Sequence, residues 1–272
     1  MSSSTLVNQT SHLDDSNRTI QGLWIGSGLS VMERLSIASF LANGHDYHLY
    51  AYDDLSNVPA GAVIKDANEI LPAARIFKYT NRPSYAGFAN HFRYKLLFER
   101  GGWWADTDVV CLRQFDFRDA YVFAGEWAAG QIVANNGIIK APAGSEVLAC
   151  AVRVCEAKKP EQLVWGETGP QLLTELVAKF GLSEFQKSCS VFCPITDSDW
   201  HKLLEPYVAA VPAEAYAIHM WNSFWQFAGQ DKNADYHPGC IYELLKRKYL
   251  CSTSADTNSS SSQLTAVVAT SS

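Results

Sequence analysis

Two aspartates separated by one residue, Asp106 and Asp108, are the side chains of this sequence best suited to chemistry. Carboxylate oxygens are the ligands that hard divalent cations prefer, so such a pair can hold Mg²⁺ or Mn²⁺. The spacing alone means little, because Asp197-Ser198-Asp199 matches it as well. The alternative interpretation of either pair is a tight turn with two solvated carboxylates.

The neighbouring residues distinguish Asp106-Thr107-Asp108 from the second pair. Hydrophobic residues at helical spacing predict a helix before it, a Gly-Gly pair ends that helix, and short hydrophobic strands flank the aspartates. Charged groups between two buried strands face a desolvation cost of several kcal/mol unless something pairs with them. A divalent cation bound to a diphosphate would supply that partner. The predicted elements are a helix from residue 84 to 100 and strands at 103–105 and 109–112.

The block from Ala89 through Leu112 resembles the sugar-binding region of a glycosyltransferase family that carries a DXD motif. Initiating α-mannosyltransferases of yeast and bacterial capsule-type enzymes belong to this family, and clostridial glucosylating toxins are more distant relatives. A weaker likeness covers most of residues 20–225 through further short motifs in the expected order. These are Leu23-Trp24-Ile25-Gly26, Asn135-Asn136-Gly137, Thr168-Gly169-Pro170 and Ile218-His219-Met220-Trp221.

The resemblance implies a GT-A fold, which is an α/β, Rossmann-like single domain with a mostly parallel central sheet flanked by helices. It implies a nucleotide-sugar donor, UDP- or GDP-hexose, bound with Mn²⁺ or Mg²⁺. Asp108 would ligate the metal, and Asp106 would contact the donor's ribose or sugar, or the metal through water. His219 would be a further metal or diphosphate ligand, with a structural histidine as the alternative. A cation on these ligands would stabilise the charge that the departing nucleoside diphosphate gains.

The resemblance also assigns Arg93, 13 residues before Asp106, to the donor sugar and diphosphate, which suits a planar guanidinium. A surface ion pair is the alternative. Together with the two aspartates, Arg93 completes the predicted catalytic set. Asn90 stands where the family usually has Asp. An asparagine can hydrogen-bond a sugar hydroxyl but has no charge, so sugar preference and turnover are both affected.

Further donor contacts follow from the resemblance alone. Trp24 would contact the base, Asn136 (with Asn135) would contact sugar hydroxyls, and Trp221 would cover the diphosphate or sugar. The alternatives are a core position for each tryptophan, Trp225 included, and a turn for the asparagines. Glu167 is a candidate acceptor contact. No carboxylate is an obvious nucleophile, and retention of anomeric configuration is predicted because the family is retaining.

Strand, helix and strand alternate at the start of the chain, which predicts a parallel sheet. Ile20 to Ile25 form the first strand, Ser30 to Glu33 match a capping box that begins a helix, and Tyr47 to Tyr52 form the next strand. Later in the chain, strands are predicted near 121–126, 136–140 and 215–220. Helices are predicted near 145–158, 170–180 and 239–249.

Composition limits the remaining choices. The 272 residues carry a net charge of −6, which excludes nucleic acid as a partner. Polar residues dominate both ends, so disordered tails are expected at 1–18 and 251–272 around a domain at 19–250. Seven scattered cysteines predict free thiols. No secretion signal or apolar run of ~18 residues occurs, so a cytoplasmic protein is expected, with peripheral contact at the inner face of a membrane left open.

The sequence therefore predicts a metal-dependent, retaining glycosyltransferase that moves a hexose to a glycan, glycolipid or protein acceptor, with polysaccharide or glycolipid biosynthesis as its setting. The alternative is a protein of the same fold that binds a nucleotide sugar or a carbohydrate but has weak catalytic activity or none. Asn90, in place of the family's usual Asp, is the reason for this alternative. A metal-dependent phosphoesterase or nuclease would require further metal-spaced His and Asp motifs, which the sequence lacks.

Overall fold

A six-stranded sheet lies at the centre of the computed structural model, which describes residues 15–128, 130–206 and 211–251. The strands are β1 (Thr19–Trp24), β2 (Asp46–Ala51), β3 (Val63–Asp66), β4 (Gly102–Ala105), β5 (Val109–Cys111), β6 (Val122–Ala128), β7 (Gln131–Ala141) and β8 (Ala217–His219). The sheet order is β3-β2-β1-β4-β7-β6, and β5 pairs with β8 separately. Strands β1 to β4 run parallel, whereas β7 is antiparallel to both of its neighbours.

Helices cover both faces of this sheet. They are α1 (Asp15–Arg18), α2 (Val31–Ala42), α3 (Ala86–Arg100), α4 (Glu146–Ala157), α5 (Leu172–Lys179), α6 (Cys189–Phe192), α7 (Asn222–Phe227) and α8 (Ile241–Leu250). Residues of α3, α4 and α5 share one hydrophobic cluster with the sheet, and residues of α2 and α6 share a second. A third cluster joins α2, α7 and α8. The α/β fold class with a mostly parallel central sheet is confirmed.

The capping box begins α2 as predicted. Ser30 Oγ accepts a hydrogen bond from Met32 N at 3.2 Å, and Ser30 N donates to Glu33 Oε2 at 2.7 Å. Such reciprocal bonds satisfy two backbone groups that a helix start would otherwise leave without partners. They fix the helix directly after the loop that follows β1.

Helix α3 ends at two glycines for steric reasons. Gly101 has a φ of +65°, and a Cβ on it would lie 2.6 Å from Ala143 N. No other residue type avoids both the left-handed strain and this collision. The chain therefore reverses at once into β4, which places α3 directly against the strand that leads to the aspartates.

The structure changes several element boundaries. Strand β7 begins five residues earlier than the predicted strand at 136–140 because it forms a long hairpin with β6. Strand β3, an exposed edge strand, was not predicted from the sequence, and neither was helix α7, because the aromatic run after residue 220 shows no helical stripe.

The first described residues include part of the tail predicted at 1–18. Helix α1 precedes β1, and Asn17 is buried with its side chain bonded to Phe117 O, Trp103 Nε1 and Lys140 Nζ. These contacts order the last residues of the predicted tail. Residues 1–14 and 252–272 lie outside the described residues. Within the described ranges, no helix is long and apolar enough to cross a membrane.

Candidate functional site

The two motif aspartates occupy a tight turn between β4 and β5. Val109 N donates to Asp106 O at 3.0 Å, and Asp106 N donates to Gly137 O on β7 at 2.8 Å. The turn thus sits at the carboxyl end of β4, where parallel sheets gather ligands. The tight turn that the alternative interpretation expects is present, but its carboxylates are partly buried and bonded to other groups rather than fully solvated.

The β5–β8 pairing brings His219 to this turn. Val109 pairs with His219 in the register, and His219 Nε2 lies 3.4 Å from Asp108 Oδ2. The same carboxylate oxygen accepts a hydrogen bond from Asn222 N at 2.8 Å. One ligand atom from each of Asp106, Asp108 and His219 lies within 4.8 Å of the others. Among the described residues this is the only such group that could hold a metal ion.

The two carboxyl groups have different electrostatic surroundings. Burial raises the pKa of Asp106, with Arg93 opposing this effect and Asp108 adding to it. Burial acts against ionisation of Asp108 too, but His219 outweighs it and lowers the pKa of Asp108. Burial would likewise lower the pKa of His219, yet the Asp108 carboxylate raises it well above its usual value. A proton on His219 and a divalent cation are therefore alternative countercharges for this pair.

Arg93 reaches Asp106 from helix α3. Its Nη1 lies 3.1 Å from Asp106 Oδ1 and 3.2 Å from Asp106 Oδ2, and it also donates to Asn136 O. The guanidinium lies over the Trp104 ring at 5.0 Å, and Trp104 Nε1 donates to Asp106 Oδ1 at 2.8 Å. Arg93 does form an ion pair, but its partner is the motif itself and the pair is partly buried rather than on the surface.

Two of the weaker motifs meet helix α3 beside Arg93. Asn136 Nδ2 donates to Asn90 Oδ1 at 2.6 Å, and Asn90 Nδ2 donates to Thr168 Oγ1 at 3.3 Å. Tyr94 OH donates to Gly169 O at 3.4 Å. Residues 78 positions apart in sequence thus form one buried hydrogen-bond chain. Asn90 and Asn136 are therefore hydrogen-bond partners of each other. Neither of them lines the cleft described below.

Gly137 leaves room for the metal-site side chains. A Cβ at this position would lie 2.8 Å from Asn135 Oδ1, 3.2 Å from His219 Cε1 and 3.4 Å from Asp106 Oδ2. Asn135 accepts from Gly137 N and donates to Glu126 Oε2 at 2.5 Å. Burial raises the pKa of Glu126. No sequence pattern indicates Glu126, because only the folded chain brings β6 beside the motif.

A cleft of about 600 Å³ opens over the aspartates. Arg93, Asp106 and Asp108 line it together with Trp24 and Trp225. The Trp24 indole nitrogen donates to Gly28 O at 3.1 Å, which leaves the ring facing the cleft wall. The predicted base contact and the aspartates thus share one concave surface.

Trp221 lies in the core beneath the metal site. Its ring stacks on His219 with centroids 4.0 Å apart, and its Nε1 donates to Ile195 O at 2.8 Å. It does not line the cleft, so the structure places it as a support for the histidine. Its φ of +58° turns the chain from β8 into α7.

The remaining candidates lie elsewhere. Asp197-Ser198-Asp199 forms an exposed turn in which Asp199 pairs with Lys202 at 3.0 Å. Glu167 pairs with Lys158 and accepts from Val164 N, and those hydrogen bonds lower its pKa. All seven cysteines are free.

The donor set fits a divalent cation. Two carboxylates and an imidazole face one another across a gap that the absent side chain of Gly137 keeps open. Oxygen ligands suit Mg²⁺ and Mn²⁺, and an added imidazole is acceptable to a first-row transition ion.

Lys232 also lines the cleft, although no motif in the sequence indicates it. It lies in the loop between α7 and α8, and its side chain contacts Glu33, Asn222 and Trp24. A lone lysine in a polar loop carries no sequence signal of this kind, because its partners come from three distant segments.

Two family profiles match the chain. Residues 30–124 match the glycosyltransferase sugar-binding region containing the DXD motif. Residues 157–257 match the alpha 1,4-glycosyltransferase conserved region. The first contains both aspartates and Arg93, and the second contains His219 and Lys232, so the two matches together cover both walls of the site.

A curated relative shares part of this sequence. Lactosylceramide 4-alpha-galactosyltransferase of Rattus norvegicus is 29% identical over 146 residues, which are 48% of this chain and 39% of the rat protein. The chain therefore spans about two fifths of the length of that relative.

Two solved glycosyltransferase structures show a distant similarity to the chain. PaToxG glycosyltransferase gives a TM-score of 0.46 at 15% identity, covering 92% of this chain and 84% of that one. The apo-form glycosyltransferase GlyE of Streptococcus pneumoniae TIGR4 gives 0.37 at 11% identity, covering 64% and 46%. No residue role is transferred from either structure.

Proposed function

We propose that the chain, which belongs to the DXD-motif glycosyltransferases, transfers a hexose from a UDP- or GDP-sugar with the help of a divalent cation and with retention. The observation that carries this proposal is the cluster of Asp106, Asp108 and His219, whose carboxylates line the cleft. Residues 19–250 would be the catalytic unit, since the cleft is lined by residues from Leu23 on β1 to Asn233 in the loop before α8.

Asp108 and His219 would hold the cation, and Asp106 would hold it directly or through water. The bound ion supplies countercharge to the diphosphate as the sugar leaves. The combination of imidazole and carboxylates supports Mn²⁺ over Mg²⁺. Metal binding requires a neutral imidazole, so His219 would hold the cation in its unprotonated form.

Arg93 opposes the effect of burial on the pKa of Asp106 and holds its carboxylate in place. Its guanidinium engages both carboxylate oxygens, and its burial beside Trp104 restricts its movement. The donor diphosphate would therefore meet a preorganised set of charges, which is the arrangement that lowers the barrier most for charge-developing reactions. The cleft volume of about 600 Å³ lies in the range of small-molecule sites.

Retention and the acceptor rest on the family. An α-linked product, as in the name of the rat relative, results from retention when the donor's own linkage is α. A glycan or glycolipid acceptor is proposed first, and a galactosyl donor with a lactose-bearing lipid is the pair to try first. A cytoplasmic location with contact at a membrane surface stays the proposal for the acceptor's setting.

A non-catalytic sugar-nucleotide binder is the second candidate. The observation that favours it is the commitment of Asn90, since both ends of its side-chain amide bond to Asn136 and Thr168. Such an asparagine offers no charge to the donor sugar. Tight donor binding without donor hydrolysis in any mixture would support this candidate, and measurable hydrolysis would exclude it.

The proposed activity is tested by release of nucleoside diphosphate from a panel of UDP- and GDP-hexoses, with Mn²⁺ and with chelator. At least one donor is expected to be hydrolysed or transferred in Mn²⁺ alone. Asp108→Ala should lower this rate by about 100-fold or more, because it removes a cation ligand. Asp199→Ala, in the exposed pair, is the matched control and should keep the full rate. If no donor reacts and Asp108→Ala binds UDP and GDP as tightly as the unaltered chain, the proposal is wrong.

A further inference from the structure

Lys232 is a cleft-lining cation to which none of the roles above is given. Its Nζ donates to Glu33 Oε1 at 2.5 Å and to Asn222 Oδ1 at 3.1 Å. It also lies 5.3 Å from the centre of the Trp24 ring. An ammonium has three protons to donate. These contacts use two of them, and the side chain keeps 23% of its surface exposed in the cleft.

Glu33 holds this lysine from inside helix α2. Its carboxylate is fully buried, with Oε2 accepting from Ser30 N and Oε1 accepting from Lys232. A buried carboxylate without a cationic partner would be strongly destabilising, so the pair is held firmly. The capping-box glutamate of α2 thus also anchors a charge in the cleft.

The backbone around Lys232 is fixed as well. Tyr242 OH, on α8, donates to Lys232 O at 2.6 Å. Val31 N donates to Asn233 Oδ1 at 3.0 Å, which ties the loop to the start of α2. A solvated surface lysine needs no such supports, so the arrangement indicates a lysine that is held ready for a ligand.

Asn222 connects the lysine to the metal site. Its side-chain oxygen accepts from Lys232, and its backbone nitrogen donates to Asp108 Oδ2 at 2.8 Å. The ammonium and the proposed cation ligand are therefore separated by a single residue. A ligand that spans both positions must carry several oxygens with negative charge, and a diphosphate meets this requirement.

We propose that Lys232 binds a non-bridging oxygen of the donor's diphosphate and that Glu33 positions it. This inference rests on the proposed function. When the bond between the anomeric carbon and the diphosphate oxygen breaks, the electron pair stays on that oxygen. The acceptor's hydroxyl oxygen forms the new bond to the anomeric carbon, and its proton passes to the departing diphosphate. Lys232 stabilises the negative charge that the diphosphate gains in this step.

The test is calorimetric titration of the full chain with UDP and with GDP in Mn²⁺, beside the matching nucleosides uridine and guanosine. Whichever nucleotide binds, Lys232→Met is expected to lower its affinity by about 10- to 100-fold, in line with the loss of a hydrogen bond to a charged group. Nucleoside affinity should stay within about twofold, because the nucleoside lacks the diphosphate. Lys246→Met is the matched control, since Lys246 pairs with Glu243 at 2.6 Å outside the cleft.

A second pair of variants separates positioning from helix stability. Glu33→Gln and Ser30→Ala both disturb the capping box, but only Glu33→Gln disturbs the bond to Lys232. Glu33→Gln should lower the affinity for UDP or GDP by about 3- to 10-fold, whereas Ser30→Ala should leave this affinity unchanged. Lys232→Arg, which keeps the charge, should recover part of the affinity lost in Lys232→Met.

Each remaining outcome decides the inference. If Lys232→Met binds the nucleoside diphosphate as tightly as the unaltered chain does, the inference is overturned. If Lys232→Met does not fold, the comparison of Glu33→Gln with Ser30→Ala decides instead, and equal nucleotide affinity in these two variants overturns the inference. If Asp108→Ala loses the nucleotide while Lys232→Met does not, the proposed function stands and only the role of Lys232 is wrong. If neither UDP nor GDP binds the unaltered chain, both are overturned.

Discussion

At the residue scale, the site depends on charges that buried neighbours hold in place. Asp106 and Asp108 lie two positions apart in the sequence, yet burial raises the pKa of Asp106 whereas His219 lowers the pKa of Asp108. A pair of equivalent carboxylates would repel each other at this distance. Their different partners make it feasible for both to face one cation.

Arg93→Met should destabilise the protein by about 2–3 kcal/mol, because it leaves Asp106 without its partner in a partly buried setting. Arg100→Met on the same helix is the matched control. Its pair with Glu69, at 3.1 Å, is about half exposed on both sides, so the expected loss is under about 1 kcal/mol. Urea unfolding of both variants checks this. Equal losses would show that the Arg93–Asp106 pair does not stabilise the fold.

How far the sequence predicts individual residues depends on how local their signal is. Asp106, Asp108 and Arg93 belong to one continuous block, and the structure brings them together. Lys232 has its partners at Glu33 and Trp24, about 200 residues away, so no spacing rule indicates it. For Trp221 the resemblance suggested a donor contact, with a core position as the alternative, and in the structure its ring stacks on His219.

At the element scale, helix α3 connects the sheet to the site. One side packs against α4 and the sheet, and the same helix carries Asn90 and Arg93 into the cluster beside β7. His91 lies on the packed side, buried, with its Nε2 3.9 Å from Glu156 Oε1 on α4. Burial lowers the pKa of His91 to about 4.

Stability should therefore fall with acidity through His91. Its folded pKa lies below the unfolded value of 6.5, so its contribution is complete above pH 6.5 and is lost as the pH falls towards 4. The loss is on the order of 2–3 kcal/mol. In His91→Leu the free energy of unfolding should decline less between pH 6.5 and 4, as measured by urea unfolding at several pH values. An unchanged decline in the variant would contradict the burial of a neutral histidine.

Helices and strands with a strong local sequence pattern are predicted well. Those that form because of contacts with distant parts of the chain are not. The capping box at Ser30 and the glycine stop after α3 are local chemistry, and both helices begin or end there. Strand β3 has mostly exposed residues, so no hydrophobic alternation marks it. Helix α7 follows a residue with left-handed φ, Trp221, which no sequence pattern announces.

At the scale of the whole molecule, the site lies where separate parts of the chain converge. Parallel strands β1 and β4 end at the same edge of the sheet and bring Trp24 and Asp106 there. The antiparallel pair β5 and β8 adds His219, and the loop before α8 adds Lys232. The α/β class follows from the order of strands and helices in sequence, but this convergence requires the folded chain.

The central claim is that Asp106, Asp108 and His219 hold a divalent cation together with a nucleoside diphosphate. Crystals soaked with Mn²⁺ and either UDP or GDP test it through the anomalous signal of manganese. We expect one peak about 2–2.5 Å from an Asp108 oxygen and from His219 Nε2, with diphosphate oxygens completing the coordination. A bound nucleotide with no manganese peak at these residues, or a peak at a different set of side chains, would contradict the claim.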